Sequence, residues 1–163
     1  MTRAEFEQRL QAAARGWLGV RFLHNGRTKS QGVDCLGLVI CLLREVLGTE
    51  EHIPDGDGNA YGPDWYLHTP ETRYLAGLTD NGVPVTEADL LPGDVLYFRT
   101  GMLGRSKTDA ITHGGVWLGD HNFIHAITGR EVGLADLRQR AWRGTLAGII
   151  RPTAVLDALG ETA

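Results

Sequence analysis

Residues 35–47, CLGLVICLLREVL, are apolar nearly all round, with Asp34 before them and Gly48 after them. Aspartate is a favoured helix N-cap and glycine a favoured C-terminal stop. The stretch predicts a helix over 35–47. A helix with so little polar face has to lie at the centre of a domain. It is not a bilayer span, which takes about 20 apolar residues; its dense part, Cys35 to Leu43, ends at Arg44 and Glu45. The remaining elements must wrap around this helix.

Residues 2–18 predict a first helix. Phe6, Leu10, Ala13, Ala14 and Trp17 recur at three- and four-residue steps, and Gly16 and Gly19 are expected to close it. Residues 20–33 read as loop. Residues 49–91 hold DGDGN, YGPDWY, HTPE and DNGVP, all turn chemistry, with short helices expected near 70–78 and 86–90. So long a connection is expected to cover a site or pack on the core. LPGD then opens a strand at 95–99, and a polar loop fills 100–110. HGGVWLG (113–119) and NFIHAI (122–127) read as two strands joined by a DHN turn. LADLRQRAWRG reads as helix or irregular, and TLAGIIRPT (145–153) as a last strand. Helices first and antiparallel strands after make an α+β layout, expected as one domain over 1–163.

Two function classes fall away on charge. The formal net charge is −4, so a basic footprint for nucleic acid or an anionic membrane surface is lacking. MTRAEFEQRLQAAARGW carries charges throughout and no apolar core, so no secretory signal is expected. The chain is expected to be made in the cytoplasm and delivered by another route. Cys35 and Cys41, on one helix, lie about 9 Å apart, beyond the roughly 7 Å reach of a disulfide; both are expected to be free thiols. No GxGxxG, GxxxxGK or GxSxG motif is present, and DGDGN does not continue as a calcium loop. No cofactor is expected.

Cys35 would sit in the first turn of the central helix, where the helix end favours a thiolate. Asp34 opposes this if its charge points at the sulfur. As a lone residue Cys35 is more readily a buried small hydrophobe, as most free cysteines are. A nucleophilic cysteine needs a base, and His113 opens a strand followed by two glycines that leave room for another backbone or a substrate beside the imidazole. His125 lies in the next strand. With a hairpin near 119–122, it can hold the His113 ring through its other nitrogen, the logic of nucleophile, base and orienting group. Cys35, His113 and His125 as zinc ligands are a rival, weakened by the lack of CxxC or a helical HxxxH. His24, His52, His68 and His121 lie in polar loops and read as surface residues. Tyr61, Trp65 and Tyr66 line a groove or pin the long loop to the core.

The strings GVDCLGLV, LPGDVLYF and THGGVWLGDHNFIHA, in this order, resemble the NlpC family of papain-like cysteine peptidases, from about Trp17 to Ala126 with a weaker tail to Pro152. The phrase HNGRTKSQGVDCLGL resembles the branch found in phage tails and gene-transfer particles. The resemblance implies a papain-like α+β fold, with N-terminal helices and a central nucleophile helix packed on an antiparallel sheet. It implies cleavage of peptidoglycan stem peptides next to D-glutamate and a diamino acid, with Cys35 as nucleophile, His113 as base and His125 as orienting group. It also implies tail-tip or hub proteins as partners and action on the cell wall. Many members carry Tyr where this chain has Phe22; His24 or Arg27 then stands in for the missing hydroxyl. Phe22, His24, Arg27, Asp34, Tyr61 and Trp65 are the candidate substrate-binding residues. The alternatives are a structural tail-tip subunit with little activity, and a thiol amidase or acyltransferase on another substrate.

Overall fold

The structure is a computed structural model and describes residues 1–24, 26–48, 81–99 and 113–161. Helix α1 spans Arg3–Trp17. Thr2 caps it: its hydroxyl accepts from the Glu5 N–H, while the Glu5 carboxylate accepts from the Thr2 N–H at 2.7 Å. Phe6, Leu10, Ala13, Ala14 and Trp17 are buried, as the spacing predicts. Gly16 lies inside the helix and does not end it; the C-cap is Leu18, and Gly19 follows in a left-handed conformation at φ 80°. A glycine weakens a helix interior by only about 1 kcal/mol, so a packed apolar face carries the helix through it.

Helix α2 spans Cys35–Leu47 between Asp34 and a left-handed Gly48, as expected. It packs against α1 through the apolar core. Residues 20–33, expected as loop, contain the antiparallel strands β1 (Arg27–Thr28) and β2 (Gly32–Val33). Strands of two residues are too short to show alternation.

The main sheet has six strands: β3 (Gly82–Pro84), β4 (Val95–Phe98), β5 (His113–Gly119), β6 (Asn122–His125), β7 (Gly133–Asp136) and β8 (Leu146–Pro152). Their spatial order is β3-β8-β4-β5-β6-β7, and every neighbouring pair is antiparallel. β4, β5 and β8 fall where the sequence predicts strands, within a residue at either end. β6 stops at His125, two residues short of the expected end. β3 and β7 were not expected. Leu134 and Ala135 are good helix formers and become strand only by pairing with Ile124 and Phe123 of β6. Two short helices follow, α3 (Arg140–Arg143) before β8 and α4 (Thr153–Leu159) after it. The helix expected near 86–90 is a single 3-10 turn, Glu87–Asp89. The expected helix at 70–78, the DGDGN turn, the 100–110 loop, Tyr61 and Trp65 lie outside the described residues.

The sheet buries both faces. Val95, Val116, Leu118, Ile124 and Ile150 point to the helix side and join Phe6, Leu10, Leu38 and Leu42. Their neighbours Leu96, Phe98, Trp117, Phe123 and Ile149 point the other way, where Leu90, Trp142 and Leu146 cover them. No helix among the described residues is long and apolar enough to cross a membrane.

The cap on α1 makes a simple test. Thr2→Ala removes the hydroxyl acceptor and is expected to lower stability by about 1 kcal/mol, about 2–4 °C in Tm. Calorimetry would read it, and an unchanged Tm would mean the first turn is not held by this cap.

Candidate active site

Strands β5 and β6 bring two histidines together. Their turn, Asp120–His121, has positive φ at both residues, 47° and 66°, the twist that a tight hairpin needs. The pair register places His125 opposite Gly115, with a shift between Trp117 and Gly119. His113 therefore lies two residues along the same face rather than opposite His125. From there its Nε2 reaches His125 Nδ1 at 2.9 Å. Gly115 makes this possible. A Cβ there would stand 2.8 Å from the Ile124 carbonyl oxygen and 3.3 Å from the His125 Cβ. Of the two occupants the sequence allows beside the imidazole, another backbone or a substrate, the structure puts the partner strand's backbone at Gly115.

An aromatic wall surrounds the pair. Trp142 stacks on His113, with ring centroids 5.5 Å apart, and meets His125 edge-on at 4.8 Å. Phe98 lies 5.8 Å from His113, and Phe123 lies 5.0 Å from His125. Sequence reading missed Trp142. The available signal was a tryptophan among Arg138, Gln139, Arg140 and Arg143, a large apolar ring in a largely charged stretch.

Both histidines are buried, and burial disfavours the charged ring. It pushes His113 down to about 3, with His125 beside it adding to the effect. It pushes His125 down to about 4, helped by the Arg130 guanidinium. At neutral pH both rings are neutral, as a proton acceptor must be. The same shifts tie stability to pH. Below about 6.5 the unfolded chain takes up protons that the folded histidines refuse until pH 3–4. Their contribution is thus complete above pH 6.5 and is lost as pH falls towards 4, at up to about 1.4 kcal/mol per pH unit for each. A Tm-against-pH curve is expected to fall across that window, and His125→Gln to flatten it. An unchanged slope in the variant would exclude His125 as its source.

Cys35 opens α2, which packs against β1, β5 and β6, the last two being the strands of the histidines. It is buried and outside any disulfide, as is the half-buried Cys41. Cys41 donates its S–H to the Arg27 carbonyl at 3.4 Å, and burial pushes its thiol up. It is a packed small side chain. Asp34 is fully buried; its Oδ1 accepts from the Gly37 N–H at 2.6 Å and from Arg27 Nη1 at 2.9 Å. The carboxylate before Cys35 is thus paired with Arg27. Phe22 is half-buried against the helix-side core. Its backbone bridges to Val33, and its N–H donates to the Arg130 carbonyl at 3.0 Å. His24, expected at the surface, is half-buried, whereas His121 is exposed in its turn. His52 and His68 lie outside the described residues.

Residues 19–151 match the NlpC/P60 family. The chain is 29% identical over 127 residues to the murein DD-endopeptidase MepS/murein LD-carboxypeptidase of Escherichia coli K12, covering 78% of this chain and 53% of that protein. It is 27% identical over 138 residues to a gamma-DL-glutamyl hydrolase of Bacillus subtilis 168, covering 85% of this chain and 27% of that one. The chain thus spans about half the length of MepS or less of such curated relatives. Among solved structures, an NLP/P60 family protein similar to lipoprotein from Staphylococcus aureus Mu50 superposes with a TM-score of 0.62 at 19% identity, covering 91% of this chain and 41% of that chain. The NlpC/p60 domain of the peptidoglycan hydrolase SagA gives 0.58 at 19% identity, covering 88% of this chain and 97% of that chain. At these identities the likeness is one of fold, the papain-like α+β arrangement of helices on an antiparallel sheet.

Proposed function

We propose, for a chain that belongs to the NlpC/P60 family, a cysteine endopeptidase that cuts peptidoglycan stem peptides, with Cys35 as nucleophile, His113 as base and His125 as orienting group. The observation that carries the reading is the 2.9 Å bond between two buried neutral imidazoles, in a chain whose core helix opens on a buried cysteine outside any disulfide. The activities by which the relatives are named, murein endopeptidase and gamma-DL-glutamyl hydrolase, support the substrate class. The second supports a cut next to D-glutamate.

The bond also sets the tautomers. For His113 to take a proton on Nδ1, its Nε2 must carry the hydrogen and donate to His125 Nδ1. His125 is then the Nε2–H form, and it keeps accepting when His113 becomes imidazolium. The Cys35 thiol gives its proton to His113 Nδ1, and Sγ bonds to the carbonyl carbon of the stem peptide. The Cys35 backbone N–H, at the positive end of α2, stabilises the oxyanion. On collapse the C–N bond breaks, and the His113 proton goes to the departing amine. Water, deprotonated by His113, then attacks the thioester; the acid leaves and Cys35 regains its proton.

The finer setting within this proposal is a phage-like tail, with the chain at the tip acting on the cell wall. The phrase HNGRTKSQGVDCLGL supports it. Co-purification with tail or hub proteins tests it, and a freely active monomer outside any particle would count against it. The chemistry is tested by digesting purified peptidoglycan and reading the products by mass. A fragment cut beside D-glutamate is expected; an acyl-transfer or side-chain amide product would replace the endopeptidase reading.

A further inference from the structure

The buried carboxylate of Asp34 comes directly before Cys35 in the chain. A helix start is worth about half a positive charge, which a full carboxylate charge beside it would outweigh. Arg27 meets that carboxylate at 2.9 Å from β1, and its guanidinium also donates to the Gly26 carbonyl at 2.7 Å. The approach is built into the helix. A Cβ on Gly37 would run into Arg27 Nη1 and the Gly26 carbonyl, so glycine in the first turn of α2 clears the path of the guanidinium. A second tie holds β1 to α2, the Cys41 thiol on the Arg27 carbonyl.

We propose that Arg27 is a positioning residue for the Cys35 nucleophile: it offsets the Asp34 charge and keeps the start of α2 favourable to a thiolate. The inference rests on the reading of Cys35 as nucleophile. The opposing action of the two charges is already visible at Cys41, whose thiol Arg27 pulls down and Asp34 pushes up. On the strands packed against α2 the other titratable groups are His113 on β5 and His125 on β6, both neutral at pH 7, while Lys29, just after β1, pairs with Glu45. α1 meets α2 through Phe6, Leu10, Ala13, Ala14 and Trp17, none of them charged. Arg44 and Glu45 belong to the far end of α2.

The test is the pH titration of the Cys35 thiolate by its ultraviolet absorbance, in a Cys41→Ala background. Mass-read alkylation with iodoacetamide confirms the site. Arg27→Met is expected to raise the inflection by about one unit, about tenfold less thiolate at neutral pH. Asp34→Asn keeps a capping side chain and is expected to lower it. Arg27→Lys holds it near the wild-type position, and Arg27→Met with Asp34→Asn returns it there. The proposal is overturned if Arg27→Met and Asp34→Asn move the inflection the same way, or if neither moves it. Should Arg27→Met fail to fold, Asp34→Asn alone decides by the sign of its shift. The titration uses no peptide substrate, so failure to cut peptidoglycan would overturn the functional reading and leave this result standing.

Discussion

Cys35→Ala is expected to abolish peptidoglycan cleavage, by at least about 10³-fold in kcat/KM, while leaving the fold in place. Alanine suits a buried position in the first turn of α2, and the cap on Gly37 comes from Asp34, which the substitution does not touch. Only the sulfur is lost, and with it the covalent step. Circular dichroism should match wild type, and Tm should move by no more than a few degrees. Mass spectra of peptidoglycan digests should show new fragments with wild type and none with the variant. His113→Ala is expected to fall equally far. The double variant should be little worse than either single one, because nucleophile and base act as one unit. Equal cleavage by wild type and Cys35→Ala would sink the thiol mechanism.

The second large effect is structural. Phe98 is fully buried on the sheet face away from the helices. Its ring stacks on Phe123 at 5.2 Å, meets Trp142 at 5.3 Å and lies 5.8 Å from His113. Phe98→Ala opens a cavity among rigid rings that cannot close over it. The expected loss is about 3–5 kcal/mol, a large part of a typical domain's 5–15 kcal/mol. Thermal or urea unfolding would read it as about 6–20 °C in Tm. Leu134→Ala, at a side chain 52% exposed, is the control and should stay within about 0.5 kcal/mol. A Phe98→Ala loss no larger than the control would mean that the aromatic wall behind the histidines is not packed as described. Activity should fall as well, because His113 loses a wall that fixes its ring.

How much of this was legible follows the range of the interactions. The bounds of α2 were, since Asp34, the apolar run and Gly48 all act within a turn of the helix. So was β5, a seven-residue strand ending at a tight turn. The papain-like fold was legible as a resemblance, from motifs short enough to survive at low identity. The close of α1 was legible from Gly19, which follows the C-cap in a left-handed conformation, while Gly16 lies inside the last turn. β7 was missed because its pairing, not its composition, makes it a strand. The meeting of His113 with His125 was anticipated from the hairpin, but not the two-residue offset, which depends on the register shift between Trp117 and Gly119.

The sequence by itself determined what local chemistry can specify: two helices, the second with both its caps, the strand at 113–119, the free thiols and the candidate trio of Cys35, His113 and His125. Only the tertiary structure decided that β8 lies between β3 and β4, that Trp142 closes over the histidines and that Arg27 takes up the charge of Asp34. Caps and periodic apolar faces act between residues a few positions apart. Strand order, ring packing and the Trp142 contacts are set by burial among segments far apart in the chain. Even the Arg27–Asp34 pair, seven residues apart, exists only because β1 packs on α2 and a glycine leaves the path open.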